Sequence, residues 1–184
     1  MADRCSASII IGGTLPAEHL DELIALIKDE GLAVDYDGPE FEPGDIVCGE
    51  ALMLCAHEVS WGTFNILEPF CRAHSLAYSR WNGACSGVWG CGRSVYRGDV
   101  ATPEAGHTID EYDVSEDDQI LMGEQLARTL GSFEAILGHF AHADFAVPPL
   151  MIAPTYVSAK GDHCAPSVKS AEYTPSGPST ESVT

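Results

Sequence analysis

The feature that most constrains this chain is a pattern written twice. SASIIIGGTLPAEHLDELIALIKDEGLAVDY and EALMLCAHEVSWGTFNILEPFCRAHSLAYSR each open on a short apolar run. In each, a turn, an amphipathic stretch, a polar break and a second short run containing Leu-Ala follow. A period near two that gives way to a period near 3.6 and then returns to two is the mark of a β-α-β unit. In the first unit Leu20, Leu23, Ile24 and Ile27 fall on one helical stripe, Thr14 and Pro16 mark its start, and Gly31 its end. In the second, Asn65 and Glu68 have capping-box spacing, and Phe64, Leu67, Phe70 and Cys71 supply the apolar face. Pro69 falls early enough in that helix to be tolerated.

Two further strands are expected at Leu76 to Trp81 and Val88 to Tyr96, joined by the turn residues Asn82 to Gly87. A long helix is expected beyond Ser115, a good N-cap, with Ile120, Leu121, Leu126, Leu130, Phe133, Ile136, Leu137 and Phe140 on its apolar side and Gly131-Ser132 as a bend. The sum is an α+β chain. It is read as a ferredoxin-like two-layer sandwich, with duplicated β-α-β units on an antiparallel sheet, a C-terminal long helix and a tail. A flavodoxin-like α/β sheet is the alternative. The domain is expected over 1–145, and the Pro/Ser/Thr-rich 146–184 as a disordered tail.

Charge comes next. The formal net charge is −19 over 184 residues, which opposes aggregation and repels nucleic acid and anionic membrane. The acid is unevenly placed. From Arg72 to Gly98 there is no Asp or Glu, but there are four arginines: Arg72, Arg80, Arg93 and Arg97. Trp81 and Trp89 lie in the same stretch, with Trp61 just before it. Tryptophan and arginine are frequent anchors of protein interfaces. No apolar run reaches the roughly 20 residues of a membrane-spanning helix. The start lacks a signal-peptide pattern, so the chain is expected to be cytoplasmic, with its seven cysteines reduced.

The motifs of common chemistries are thin. Cys71-x-x-His74 with Cys85 and Cys91 makes a Cys3His set that zinc would accept, although the second pair is wider than structural zinc sites favour. His139-x-x-His142 with His163-Cys164 is a weaker set. His57-Glu58 lacks the second histidine of H-E-x-x-H, where Trp61 stands. Cys55 and His57 are two apart on one strand and could pair as nucleophile and base. There is no C-x-x-C, no G-x-G-x-x-G and no phosphate-binding loop; Gly12-Gly13 reads as a turn.

The expected function is therefore binding rather than catalysis: an acidic interaction protein that engages a basic protein partner and does not bind nucleic acid or membrane directly. The expected contacts are Asp110, Glu111, Asp113, Glu116, Asp117 and Asp118, together with Trp81, Trp89 and Arg93. Anti-restriction and anti-CRISPR inhibitors of bacterial mobile elements use this logic, and an accessory role of that kind is expected. A homodimer through the hairpin edge is a further expectation. No cofactor is expected. The alternative is a thiol- or zinc-dependent protein using Cys71, His74, Cys85 and Cys91.

Overall fold

The computed structural model describes residues 3–98 and 108–154. They form an α+β arrangement of six strands and four α-helices around a mostly antiparallel sheet. Strand β1 (Arg4–Pro16) alternates as its sequence demands: Cys5, Ala7, Ile9 and Ile11 are buried, while Ser6 and Ser8 are half-buried and Ile10 is exposed. Helix α1 (Leu20–Asp29) buries Leu23 and Ile27. It closes at Gly31, φ 67°, with Leu32 N–H donating to Ile27 O and Gly31 N–H to Lys28 O. These are the two bonds of a Schellman cap, which needs a left-handed residue at this position.

β2 (Leu52–Ser60) pairs antiparallel with one side of β1, and β3 (Ala77–Asn82) pairs antiparallel with the other. β2 and β3 are therefore parallel to each other across β1, and α2 (Leu67–Ala73) connects them. The first repeat behaves likewise. Its Leu-Ala run reaches the outer side of β2 at one antiparallel bridge, Ala33 to Cys55, so that run is parallel to β1 with β2 between. Both helices cover the same sheet face. Leu23 and Ile27 of α1 and Leu67, Phe70 and Cys71 of α2 share one core with Ile9, Ile11, Leu54 and Tyr78. The flavodoxin-like alternative falls here, because it requires neighbouring strands to be parallel and every pairing along the path from β2 to β5 is antiparallel.

β4 (Gly92–Tyr96) pairs with β3, so the expected hairpin forms, but the second strand starts at Gly92 rather than Val88. Residues 83–91 fold back on themselves instead, around a Cys85–Trp89 bridge. β5 (Ile109–Asp113) occupies the far side of β4. The hairpin therefore offers no free edge along β4 for the expected homodimer.

The long C-terminal helix is corrected to two. α3 (Glu124–Leu130) ends at Gly131, φ 71°, and α4 (Phe133–Ala143) starts on Ser132, whose Oγ accepts from Ala135 N–H at 3.1 Å. A left-handed glycine followed by a capping serine terminates one helix and begins another. Ser115 caps no helix; its Oγ accepts from Gln119 N–H at 3.1 Å in a tight turn. The boundary at 145 also moves. Leu150–Ala153 form β6, parallel to Gly13–Pro16, and Leu150 is fully buried. The rest of the expected tail, 155–184, lies outside the described residues.

Candidate functional site

One arginine organises the far end of the sheet. Arg80 projects from β3 with only 5 % of its surface exposed. Its Nε lies 2.9 Å from Glu68 Oε1 as an ion-pair contact rather than an aligned hydrogen bond. Its Nη1 donates to Gly62 O at 2.8 Å and to Asn82 Oδ1 at 2.9 Å, and its Nη2 donates to Ser94 Oγ. Ser94 Oγ in turn donates to Glu111 Oε2 at 2.7 Å. Glu68, itself buried, also accepts from Phe64 N–H at 3.0 Å and from the Tyr78 hydroxyl at 3.3 Å. The Asn65–Glu68 capping box is thus not the one formed. Burial, and then the Glu68 carboxylate, push the Tyr78 phenol well above its ordinary range.

The Gly62 carbonyl held by Arg80 belongs to a tight turn that presents Trp61. Trp61 has φ 57° and Gly62 φ 64°, so a bulky residue occupies a left-handed conformation. A side chain at Gly62 would meet Asn82 Cβ at 2.7 Å, which makes glycine obligatory there. Trp61 is 55 % exposed and lies against Trp89, with ring centroids 5.5 Å apart and planes tilted by 33°. Strain of about 1–3 kcal/mol at a non-glycine left-handed residue persists only where surrounding contacts hold it, and such residues gather at functional sites.

The two tryptophans form one wall of a cleft of about 370 Å³. Glu111 and Asp113 of β5 and His139 of α4 line it too. Both carboxylates are exposed. Tyr112 also borders the cleft, and its ring meets His139 edge-on at 5.3 Å. The same arginine thus fixes the Trp61 turn and, through Ser94, orients Glu111. Aromatic faces beside carboxylates attract a cation, through ring quadrupoles and charge-assisted hydrogen bonds.

The residues expected from sequence divide accordingly. Trp89, Glu111 and Asp113 meet at this cleft. Glu116 and Asp117 are exposed in the turn that follows β5. Asp110 is engaged by Arg97 and lies 3.7 Å from His142 Nε2. Asp118 is held by Arg93, whose Nε and Nη2 reach its carboxylate at 2.9 and 2.7 Å. Arg93, with 11 % of its side chain exposed, also binds Ala143 O at 3.0 Å and Asp144 at 3.4 Å. It is an internal clamp, not an outward anchor. Trp81 is half-buried, and its indole nitrogen is buried without a hydrogen bond among the described residues. Trp61 and His139 were missing from the expected contacts. A Trp-Gly turn directly after a strand was the available signal for Trp61. The spacing of His139 and His142 pointed to a metal set and not to this cleft.

The thiol and metal expectations fare differently. Cys71 lies in the core with its thiol pushed far up, first by burial and then by Glu68, so it stays protonated. Cys85 and Cys91 lie at the β3–β4 connection. Among the described residues the four proposed zinc ligands are not brought together; the one cluster with metal-ligand spacing takes His74 instead with His19 and Glu22. Cys55 is 1 % exposed, its thiol faces Ala33 O at 3.5 Å, and burial raises its pKa. His57 is exposed and faces Ser6 and Asp37 rather than that thiol. Among the described residues, no helix is long and apolar enough to cross a membrane. Comparison with protein-family models, curated proteins and solved structures finds no match.

Proposed function

We propose that this is a binding protein for a basic protein partner, and that its cleft takes an arginine or lysine side chain of that partner. The carrying observation is the convergence of Trp61, Trp89, Glu111 and Asp113 on one opening of a chain with net charge −19. A guanidinium stacked on an indole and paired with a carboxylate gains from both contacts, and the surrounding acid steers a basic surface toward them. Proteins that themselves hold nucleic acid present such surfaces, so an inhibitor or accessory role toward one of them is the specific form of this reading. The arginines of Arg72–Gly98 do not oppose it: Arg80, Arg93 and Arg97 are each engaged by an acid of this chain.

We also infer that the core is a ferredoxin-like sandwich, extended by β4, β5 and β6. Two observations support this: the order of the Leu32–Val34 run, β2, β1 and β3, and the two helices on one face. In this reading the second strand of the sandwich has shrunk to the bridge at Ala33.

The test of the binding reading is titration of the purified chain with an arginine-rich peptide, followed by tryptophan fluorescence at low and high salt. Trp61→Ala and Asp113→Asn should each weaken binding by about ten- to a hundredfold, since a desolvated cation–π contact or a charge-assisted bond is worth about 1.5–3 kcal/mol. Equal affinity in the wild type and both variants would remove the cleft from the argument.

A further inference from the structure

At the opposite end of α2 from the cleft's turn, a second constellation joins the two helices. His19 stands where the 3-10 turn Ala17–His19 runs into α1, and Glu22 follows three residues later on the same face. His74 is the C-cap of α2. One ligand atom from each of His19, Glu22 and His74 lies within 4.8 Å of the others. The two imidazoles are half-buried and their ring centroids are 4.2 Å apart, while Glu22 is exposed.

We propose that His19, Glu22 and His74 form a binding site for one divalent zinc-class ion, with the fourth position open to water. Two neutral imidazoles and a carboxylate are a ligand set that zinc takes in tetrahedral geometry. Ligand atoms on a tetrahedral zinc stand about 3.3 Å apart, given bonds near 2.0 Å. The observed spacing reaches up to 4.8 Å, so the three side chains would have to rotate inward on binding the ion. The backbone under the site is fixed. Ser75 N–H donates to Arg72 O, and Leu76 N–H donates to Cys71 O, a bond between two fully buried residues on either side of His74. Phe70 packs on His74 at 4.4 Å and limits its rotamers.

The surroundings suit a cation. His19 Nδ1 is 3.6 Å from Glu22, and its Nε2 is 3.6 Å from Glu18. One ring nitrogen can ligate while a carboxylate holds the other, as in many zinc-bound histidines. His74 also sits at the carbonyl end of α2, where partial negative charge collects. The ion would pin the start of α1 to the end of α2. The site shares no residue with the Trp61–Asp113 cleft, so it stands or falls separately from the binding function proposed above.

The experiment uses the full chain, reduced and stripped of metal. Zinc affinity is measured by competition with a chromophoric chelator, and cobalt absorption spectra are recorded on the same protein. The wild type should bind one zinc. His19→Ala and His74→Ala should each weaken it by more than about tenfold while far-ultraviolet circular dichroism stays unchanged. Trp61→Ala should bind zinc normally. The cobalt spectrum should show tetrahedral bands without thiolate charge transfer. A thiolate band, zinc affinity unchanged in both histidine variants, or a wild type that takes up no zinc would each overturn the proposal.

Discussion

The two halves of this sheet are held by different forces. On the side of β1, β2 and β3, α1 and α2 seal one continuous apolar core that includes Ile9, Ile11, Leu23, Ile27, Leu54 and Leu67, all fully buried. On the side of β4 and β5, the second buried cluster among the described residues is small: Val95, Tyr112 and Ala143, with Ile120 and Phe145 against it, while Tyr96 of β4 belongs to the first core. Arginine–carboxylate contacts stand in for a core there. Arg93 ties β4 to Asp118 and to the end of α4, and Arg97 ties β4 to Asp110 and to His142 O. Leu121, Phe133 and Leu137 are left at least half exposed. Hydrophobic burial at about 1.5–3 kcal/mol per large side chain stabilises the first half regardless of salt. Partly exposed ion pairs are worth less and are screened. The cleft lies at the seam, with Trp61 carried by the firm half and Asp113 and His139 by the softer one.

Arg80 is where the comparison breaks hardest, because it belongs to both halves. Arg80→Met removes the nearer of the two arginines paired with buried Glu68, leaving Arg72 at 3.8 Å, and removes the donors to Gly62 O and Ser94. Loss of one member of a buried ion pair costs about 3–5 kcal/mol, so urea unfolding should show a loss of that size across the whole molecule. Adding Glu68→Leu should recover much of it, since a buried pair exchanged for packed apolar groups is often neutral or better. If the double variant is no more stable than Arg80→Met alone, the charge pair is not the source of the loss.

Arg93→Ala sharpens the contrast instead. Its partners Asp118 and Asp144 are 43 % and 70 % exposed, which discounts the pairs, but its donor to Ala143 O is lost as well. A loss of about 1–2 kcal/mol is expected, read as faster hydrogen exchange in β5 and α4 while β1 and α1 keep their protection. High salt should move the wild type in the same direction. Equal loss of protection in both halves would mean that they open as one unit and that the division drawn here is wrong.

The same division explains what was legible in the sequence. The firm half was readable because periodicity reports burial. The Leu20–Ile27 stripe, the alternation of β1 and the second β-α-β unit all follow from which face must leave water. The softer half was misread where a polar side chain decided the outcome. Gly131-Ser132 was seen as a bend, but a left-handed cap followed by an N-cap stops one helix and starts the next. Ser115 had the right neighbours for a helix start and closed a turn instead. The acidic cluster was legible as charge and not as contacts. Asp110 and Asp118 point to arginines 13 and 25 residues away in sequence, and no spacing rule reaches that far. The Cys3His set failed for a related reason. His74 is not brought to those cysteines; the ligand-type neighbours beside it are His19 and Glu22, from the other repeat.

The smallest effect concerns Glu30, which links the two helices of the firm half. Its Oε1 accepts from Ile66 N–H at 2.7 Å and Leu67 N–H at 3.1 Å, supplying the cap that the start of α2 lacks from its own sequence. Burial raises its pKa against the lowering by those two bonds. A carboxyl raised in the folded chain binds its proton more readily there than in the unfolded chain. Its contribution to stability is therefore greatest below the ordinary glutamate value of about 4.3 and declines as pH rises through the folded value. Glu30→Gln keeps an oxygen for both amide donors and removes the titration. The wild type should lose stability relative to this variant over the window that begins near that ordinary value and extends above it, as read by thermal unfolding at a series of pH values. A wild type that instead gains stability relative to the variant as pH rises through that window would show that the Glu30 bonds outweigh its burial at this joint. In that case the charge strengthens the firm half, which would then rely on electrostatics more than its apolar core implies.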